Sequence, residues 1–166
     1  IDTGCNIATN AEAHPADGIH PTDKWIVGQR AAGIAASEIY GITYEAMPEG
    51  MTYGDTPYIS GATYSGGNIV LTVENATALS TKEVSLGFNS ALENKNGEIG
   101  YFEIYNGTEW VEVEATISGA TITLTTDCTT ATAVRYLQYD VFADGNAFVY
   151  NEYGNVLAPI ASITIK

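Results

Sequence analysis

Positive charge is scarce in this chain of 166 residues. Six lysines and arginines stand against twenty aspartates and glutamates, which gives a formal net charge of −14 at pH 7. Nucleic-acid binding needs cations that replace the counterions of the phosphates, so this surface would repel a phosphate backbone. An anionic membrane is disfavoured for the same reason. Neutral or cationic partners and small molecules remain, and the acidic excess is also typical of a secreted protein.

Long hydrophobic runs and a leader are lacking as well. No apolar run approaches the roughly eighteen residues that span a bilayer. The chain begins with Ile1 instead of Met and shows no signal-peptide pattern, so we expect a processed product or an excised piece. We expect an extracellular or periplasmic location. Cys5 and Cys128 have no metal-ligand spacing, and one disulfide or two free thiols both remain open.

A helix is predicted from about Asp23 to Tyr40. Thr22 can cap its N-terminus, Asp23 suits the positive end of the helix dipole, and Gly41 is a natural terminator. Its apolar residues do not fit on one stripe, and a helix that is apolar on most sides is normally buried in a larger body. We therefore expect it to dock on the sandwich, to bury itself in a neighbouring molecule, or to be poorly ordered.

From about Thr43 onward the sequence predicts strands separated by turns. Residues 68–74 and 120–125 alternate β-branched with other side chains, and Gly or Asn marks the turns, as at Gly66-Gly67. The other predicted strands are 83–88, 99–105, 110–115, 133–139, 147–150 and 161–165. Short strands at this spacing predict a mainly β fold with an antiparallel β-sandwich of jelly-roll or immunoglobulin-like type.

The sharpest chemical signal is Asp17-x-x-His20. A carboxylate three residues before a histidine can accept the proton on one imidazole nitrogen and leave the other nitrogen as a base. That is the base half of a serine-hydrolase triad. The four-residue pattern also recurs by chance, and an ordinary surface loop in which Asp17 caps a turn is the alternative.

The surrounding residues resemble the last catalytic block of the SGNH hydrolases, and in particular the sialate O-acetylesterases. That family carries Asp-x-x-His-Pro, a following Lys, a Val-Gly-x-Arg helix and a closing Tyr-Gly. Further motifs match in the same order along the β region. The matching segments are 17–24, 27–32, 40–41, 53–57, 101–104, 133–136 and 150–154.

The resemblance implies an SGNH α/β-hydrolase piece in residues 1–41, with the base loop and the helix, and an accessory β-sandwich in residues 42–166. It implies that His20 is the general base, that Asp17 orients it, and that no cofactor is needed. The substrate would be O-acetylated sialic acid or a related sugar, and a serine would attack the acetyl carbonyl.

The nucleophile of that family is missing from this chain. No Gly-Asp-Ser block occurs, and the nearest string, Gly54-Asp55-Thr56, follows the histidine and offers threonine. We therefore expect the C-terminal part of such an esterase, inactive alone, with the N-terminal portion of the same enzyme as its partner. The rival hypothesis is a non-catalytic β-sandwich that binds carbohydrate or another partner, and a third is an esterase that has lost its nucleophile.

Other candidate residues have plain alternatives. His14 could pair with His20 on a metal, but no third ligand completes a site, so no metal is predicted. Tyrosines such as Tyr53 could stack on sugar rings, but tyrosines and Trp110 are equally at home as strand residues that pack the sandwich. The set of exposed-looking tyrosines also includes Tyr58, Tyr64 and Tyr105. Arg135 could pair with a buried carboxylate or bind the carboxylate of a sialate.

Overall fold

The computed structural model describes residues 25–49, 51–83, 99–138 and 147–166. Within these ranges a helix, α1 (Trp25–Ile34), continues as a π-helical turn (Ala35–Ile39), and a short 3₁₀ turn follows at Tyr44–Ala46. The remaining elements are strands. They are β1 (Tyr58–Ser65), β2 (Asn68–Glu74), β3 (Leu79–Glu83), β4 (Phe102–Tyr105), β5 (Trp110–Glu112), β6 (Glu114–Ser118), β7 (Thr121–Thr125), β8 (Ala133–Tyr136), β9 (Ala147–Asn151) and β10 (Ile160–Thr164). No helix in the described ranges has the length and apolar character to cross a membrane.

The described strands form two four-stranded sheets and a two-stranded ribbon. The first sheet has the order β1-β2-β7-β6, the second has the order β10-β8-β4-β5, and β3 pairs with β9. Every one of these pairs is antiparallel. Just after β10, Ile165 forms a parallel bridge with Ala62 of β1, so this segment joins the second sheet to the first.

The two sheets share one hydrophobic core. In β2 and β7 buried and exposed residues alternate, as expected when one face of a sheet is covered. The second sheet contributes large apolar side chains to the same cluster. Core residues from the two sheets are Ile69, Leu71, Ile122, Leu124, Phe102, Ile104, Val134 and Tyr136. The sheets therefore pack face to face as a sandwich, and the prediction of a mainly β fold is confirmed.

The predicted helix agrees closely with the structure. Helical backbone runs from Trp25 to Ile39, and Gly41 follows with φ +65°, a left-handed conformation that suits glycine at a helix end. The N–H of Gly41 donates to the carbonyl of Ser37 at 3.2 Å. The proposed cap Thr22 lies outside the described residues.

One predicted strand is in fact two. Residues 110–115 are divided between β5, which pairs with β4 in the second sheet, and β6, which pairs with β7 in the first. Val113 lies at the change of sheet, and its N–H donates to the carbonyl of Phe102 at 3.0 Å. The sequence has no glycine or proline at this corner, and the alternating pattern continues through it. The pattern therefore predicted one strand where the chain changes sheet.

Two other predicted strands are shorter than expected. The prediction for 99–105 is realised only from Phe102, and that for 133–139 ends at Tyr136. The residues at these ends, Tyr101 and Leu137, have φ of 72° and 56°, and the N–H of Leu137 donates to the carbonyl of Tyr101 at 3.2 Å. A left-handed conformation costs about 1–2 kcal/mol for such residues, and both side chains offset it by being buried in the core.

β1 and β3 were not predicted. β1 contains Gly61 and ends at the Gly66-Gly67 turn, so its composition is typical of a loop, and its pairing with β2 shifts register between Ile59 and Gly61. β3 ends where the predicted strand 83–88 begins, and residues 84–88 lie outside the described ranges.

Candidate functional site

The candidate base His20 and its orienting partner Asp17 lie outside the described residues, as do His14 and Cys5. Their roles therefore stay predictions. Cys128 is a half-buried free thiol. The structure describes the helix that follows His20 in the chain and the contacts that hold this helix on the sandwich.

Helix α1 lies directly against the backbone of the segment that follows it. Gly33 is buried, and a Cβ atom at this position would stand 2.1 Å from the carbonyl oxygen of Thr52. No side chain fits in that space, so glycine is required for the close approach. Arg30 and Ile34, on the same side of the helix one turn apart, are 1% and 2% exposed. The helix is thus docked on the segment that precedes β1.

Two buried asparagines hold that segment on the sandwich. The side-chain N–H of Asn155 donates to the carbonyl of Tyr53 at 2.7 Å, and the backbone N–H of Asn155 donates to Oδ1 of Asn151 at 2.9 Å. Asn151 in turn donates to the carbonyl of Asn75, just after β2, at 3.1 Å. Asn155 and Asn151 are 1% and 2% exposed, and hydrogen bonds shielded from water in this way are costly to break.

Three tyrosines reinforce the same junction. The ring centroids of Tyr44, Tyr53 and Tyr153 lie 4.9–5.6 Å apart with interplanar angles of 55–71°, the tilted or edge-to-face arrangement that aromatic pairs favour. Tyr53 is half-buried and packs this junction. Of the two possibilities for this tyrosine, sugar stacking and packing, its position favours packing. Tyr44 remains 54% exposed, and it follows a helix end that is still more exposed at Ile39 and Tyr40.

Glu152 fastens the turn between the two asparagines. Its carboxylate accepts hydrogen bonds from the Thr77 hydroxyl at 2.7 Å and from the N–H groups of Thr77 and Ala78 at 3.1 and 3.3 Å. Partial burial raises the pKa of the Glu152 carboxyl, but the hydrogen bonds from its own backbone, from Thr77 and from Ala78 together outweigh this effect, so the pKa lies below its usual value.

Arg135 pairs with a buried carboxylate, one of its two predicted roles. Its Nε and Nη2 atoms donate to the two oxygens of Glu103, and Glu103 is 5% exposed. The guanidinium carbon lies 4.6 Å from the centre of the Trp110 ring. Glu103 thereby occupies the Nε/Nη2 edge of the guanidinium with a paired hydrogen bond.

Among the described residues, no group of three or more His, Cys, Asp or Glu side chains could hold a metal ion. No sequence pattern predicted the structural role of Asn151 and Asn155. Its only signal was the motif at 150–154, and the partner Tyr53 lies 102 residues before Asn155.

No protein-family model and no curated protein matches the chain. Among solved structures it is similar to a carbohydrate acetylesterase from Xanthomonas citri, with a TM-score of 0.61 and 25% sequence identity. The match covers 86% of this chain and 28% of that protein, so the chain spans little more than a quarter of its length. The likeness supports a relationship to carbohydrate esterases.

Proposed function

We propose that this chain is the base-bearing C-terminal part of a serine esterase that removes O-acetyl groups from sialic acid or a related sugar. The observation that carries the proposal is the likeness to a carbohydrate acetylesterase over 86% of the chain. The motif order from Asp17 to Gly154 favours the sialate O-acetylesterase type of SGNH hydrolase. The two parts would be residues 1–41, from the catalytic domain, and the sandwich of residues 42–166.

In this mechanism Asp17 holds one imidazole nitrogen of His20, and the other takes the proton from a serine as that serine attacks the acetyl carbonyl. As the bond between the acetyl carbon and the sugar oxygen breaks, His20 donates the proton to that oxygen, and the sugar leaves with a free hydroxyl. In the second half of the reaction it activates the water that releases acetate. The serine and its oxyanion hole would come from the N-terminal portion of the same enzyme, and an extracellular or periplasmic location suits a sugar substrate.

The contacts described above give the sandwich a role in this mechanism. The close approach at Gly33 and the hydrogen bond from Asn155 to Tyr53 hold the helix that follows His20. A base that must meet a serine within hydrogen-bond distance benefits from such a rigid support.

The test compares acetate release by wild type, His20→Ala and the matched control His14→Ala, the other of the two histidines. Each is assayed alone and joined to the serine-bearing portion, with an aryl acetate and O-acetylated sialic acid as substrates. We expect background rates for the chain alone. In the joined enzyme we expect a loss of about 10²–10⁴-fold for His20→Ala and little change for His14→Ala. Full activity of the joined His20→Ala enzyme would contradict the proposal.

A further inference from the structure

The second sheet carries a row of aromatic and charged side chains on the face turned away from the core. In β4 the core residues alternate with Glu103 and Tyr105, which therefore lie on the opposite face. The strand register places Trp110 beside Tyr105, and both Glu112 and Arg135 beside Glu103. We call these five residues the outer face.

Side chains of the outer face are held in fixed positions. The rings of Tyr105 and Trp110 lie 5.5 Å apart at 53°, and the guanidinium of Arg135 lies over the indole. Glu103 holds that guanidinium with two hydrogen bonds, so the order of contacts is carboxylate, guanidinium and indole. Both rings are half-buried and reachable from solvent. Because the orientation of these rings is already set, a ligand that stacks on them binds with little loss of side-chain conformational entropy.

A cleft of about 500 Å³ begins where the outer face ends, because Glu112 belongs to both. This volume is within the range of small-molecule sites. Two glutamates and a threonine are among the residues that line the cleft. Its lining residues are Ile99, Gly100, Glu112, Val113, Glu114, Ala115 and Thr116.

We propose that the outer face and this cleft together bind a neutral oligosaccharide. The apolar faces of sugar rings would pack on the half-buried rings of Tyr105 and Trp110, and the carboxylates of Glu112 and Glu114 would accept hydrogen bonds from sugar hydroxyls. The two carboxylates and the net charge of −14 disfavour anionic polymers such as polyuronates. This site is separate from the proposed catalytic pair and needs no esterase activity.

The experiment uses the intact chain with Trp25→Phe, which leaves Trp110 as the single tryptophan and a direct fluorescence reporter. The probes are cellohexaose, xylohexaose and, as the anionic counterpart, a hexagalacturonate. We expect a saturable change in Trp110 fluorescence with at least one neutral probe and none with the hexagalacturonate. The absence of saturable binding of both neutral probes at millimolar concentration, or tighter binding of the hexagalacturonate, would overturn the proposal.

Variants locate the site by affinity electrophoresis in gels that contain soluble xylan or hydroxyethylcellulose. Removing a stacking ring with Trp110→Ala or Tyr105→Ala should weaken binding roughly tenfold or more, and Trp110→Phe should restore part of it. Tyr58→Ala, which removes a tyrosine of β1 that is 45% exposed, is the matched control and should bind as wild type does. Circular dichroism checks that each variant is folded. If Trp110→Ala does not fold, Glu112→Gln still tests the cleft. Equal binding by wild type and both Tyr105→Ala and Glu112→Gln would refute the assignment.

Discussion

At the scale of single residues, side chains that accept or donate several hydrogen bonds connect parts of the chain that are far apart in sequence. Asn155 joins the segment after the helix to the turn after β9, and Glu152 joins that turn to the loop after β2. A sequence pattern can suggest that an asparagine lies in a turn, but not which distant carbonyl its amide will meet. The roles of Asn151 and Asn155 were unpredictable for that reason.

Glu152 should make stability depend on pH. Its pKa is lowered in the folded state, so its contribution is fully present above the pKa of the unfolded chain and is lost as pH falls through the folded pKa. Glu152→Gln removes the charge and keeps one acceptor. We expect a lower free energy of unfolding than wild type at pH 7, and a difference that shrinks in the acid range below roughly pH 5.

Urea unfolding of both proteins at pH 7 and at acid pH measures this difference. Glu49→Gln, at an exposed glutamate before the sandwich, serves as control and should follow wild type at both pH values. A difference for Glu152→Gln that is constant across the pH range would exclude the ionised carboxylate as its source.

At the scale of elements, patterns of alternation and turn residues located β2, β7, β9 and helix α1 well. They failed where the backbone changes direction without a marker residue, at Val113 between two sheets and at Tyr101 and Leu137. Burial fixes the backbone at those points, and burial depends on the whole fold. The exposed apolar helix end at Ile39 and Tyr40 agrees with the low amphipathicity that the sequence predicts for this helix.

The docking of α1 can be tested at its glycines. Gly33→Ala would force a Cβ atom toward the Thr52 carbonyl, and we expect a loss of about 1–3 kcal/mol in the free energy of unfolding. Gly28 lies on the same helix with open space around its Cβ position, so Gly28→Ala should instead stabilise by up to about 1 kcal/mol through helix propensity. Chemical unfolding compares the two, and equal stability would show that the close approach to Thr52 does not form.

At the scale of the whole molecule, the segment that follows β10 forms hydrogen bonds with residues of both sheets. The N–H of Lys166 donates to the carbonyl of Ala62 at 3.0 Å, and the N–H of Ile165 donates to Thr132 at 3.0 Å. Deleting residues 165 and 166 should lower the free energy of unfolding by about 1–3 kcal/mol, because these backbone hydrogen bonds are lost. Lys166→Ala keeps these backbone hydrogen bonds and should lower the melting temperature much less than the deletion does. An unchanged melting temperature after the deletion would contradict this role.

The same segment has a consequence for synthesis on the ribosome. β1 emerges long before Ile165 and Lys166, which follow all the other described strands. Until β10 and these two residues emerge, β8 and β1 present open edges, and such edges are templates for pairing with other chains. The sandwich closes through contacts between residues far apart in sequence, and such folds form slowly. A nascent chain paused before β10 would therefore be the form most exposed to aggregation and most in need of a chaperone.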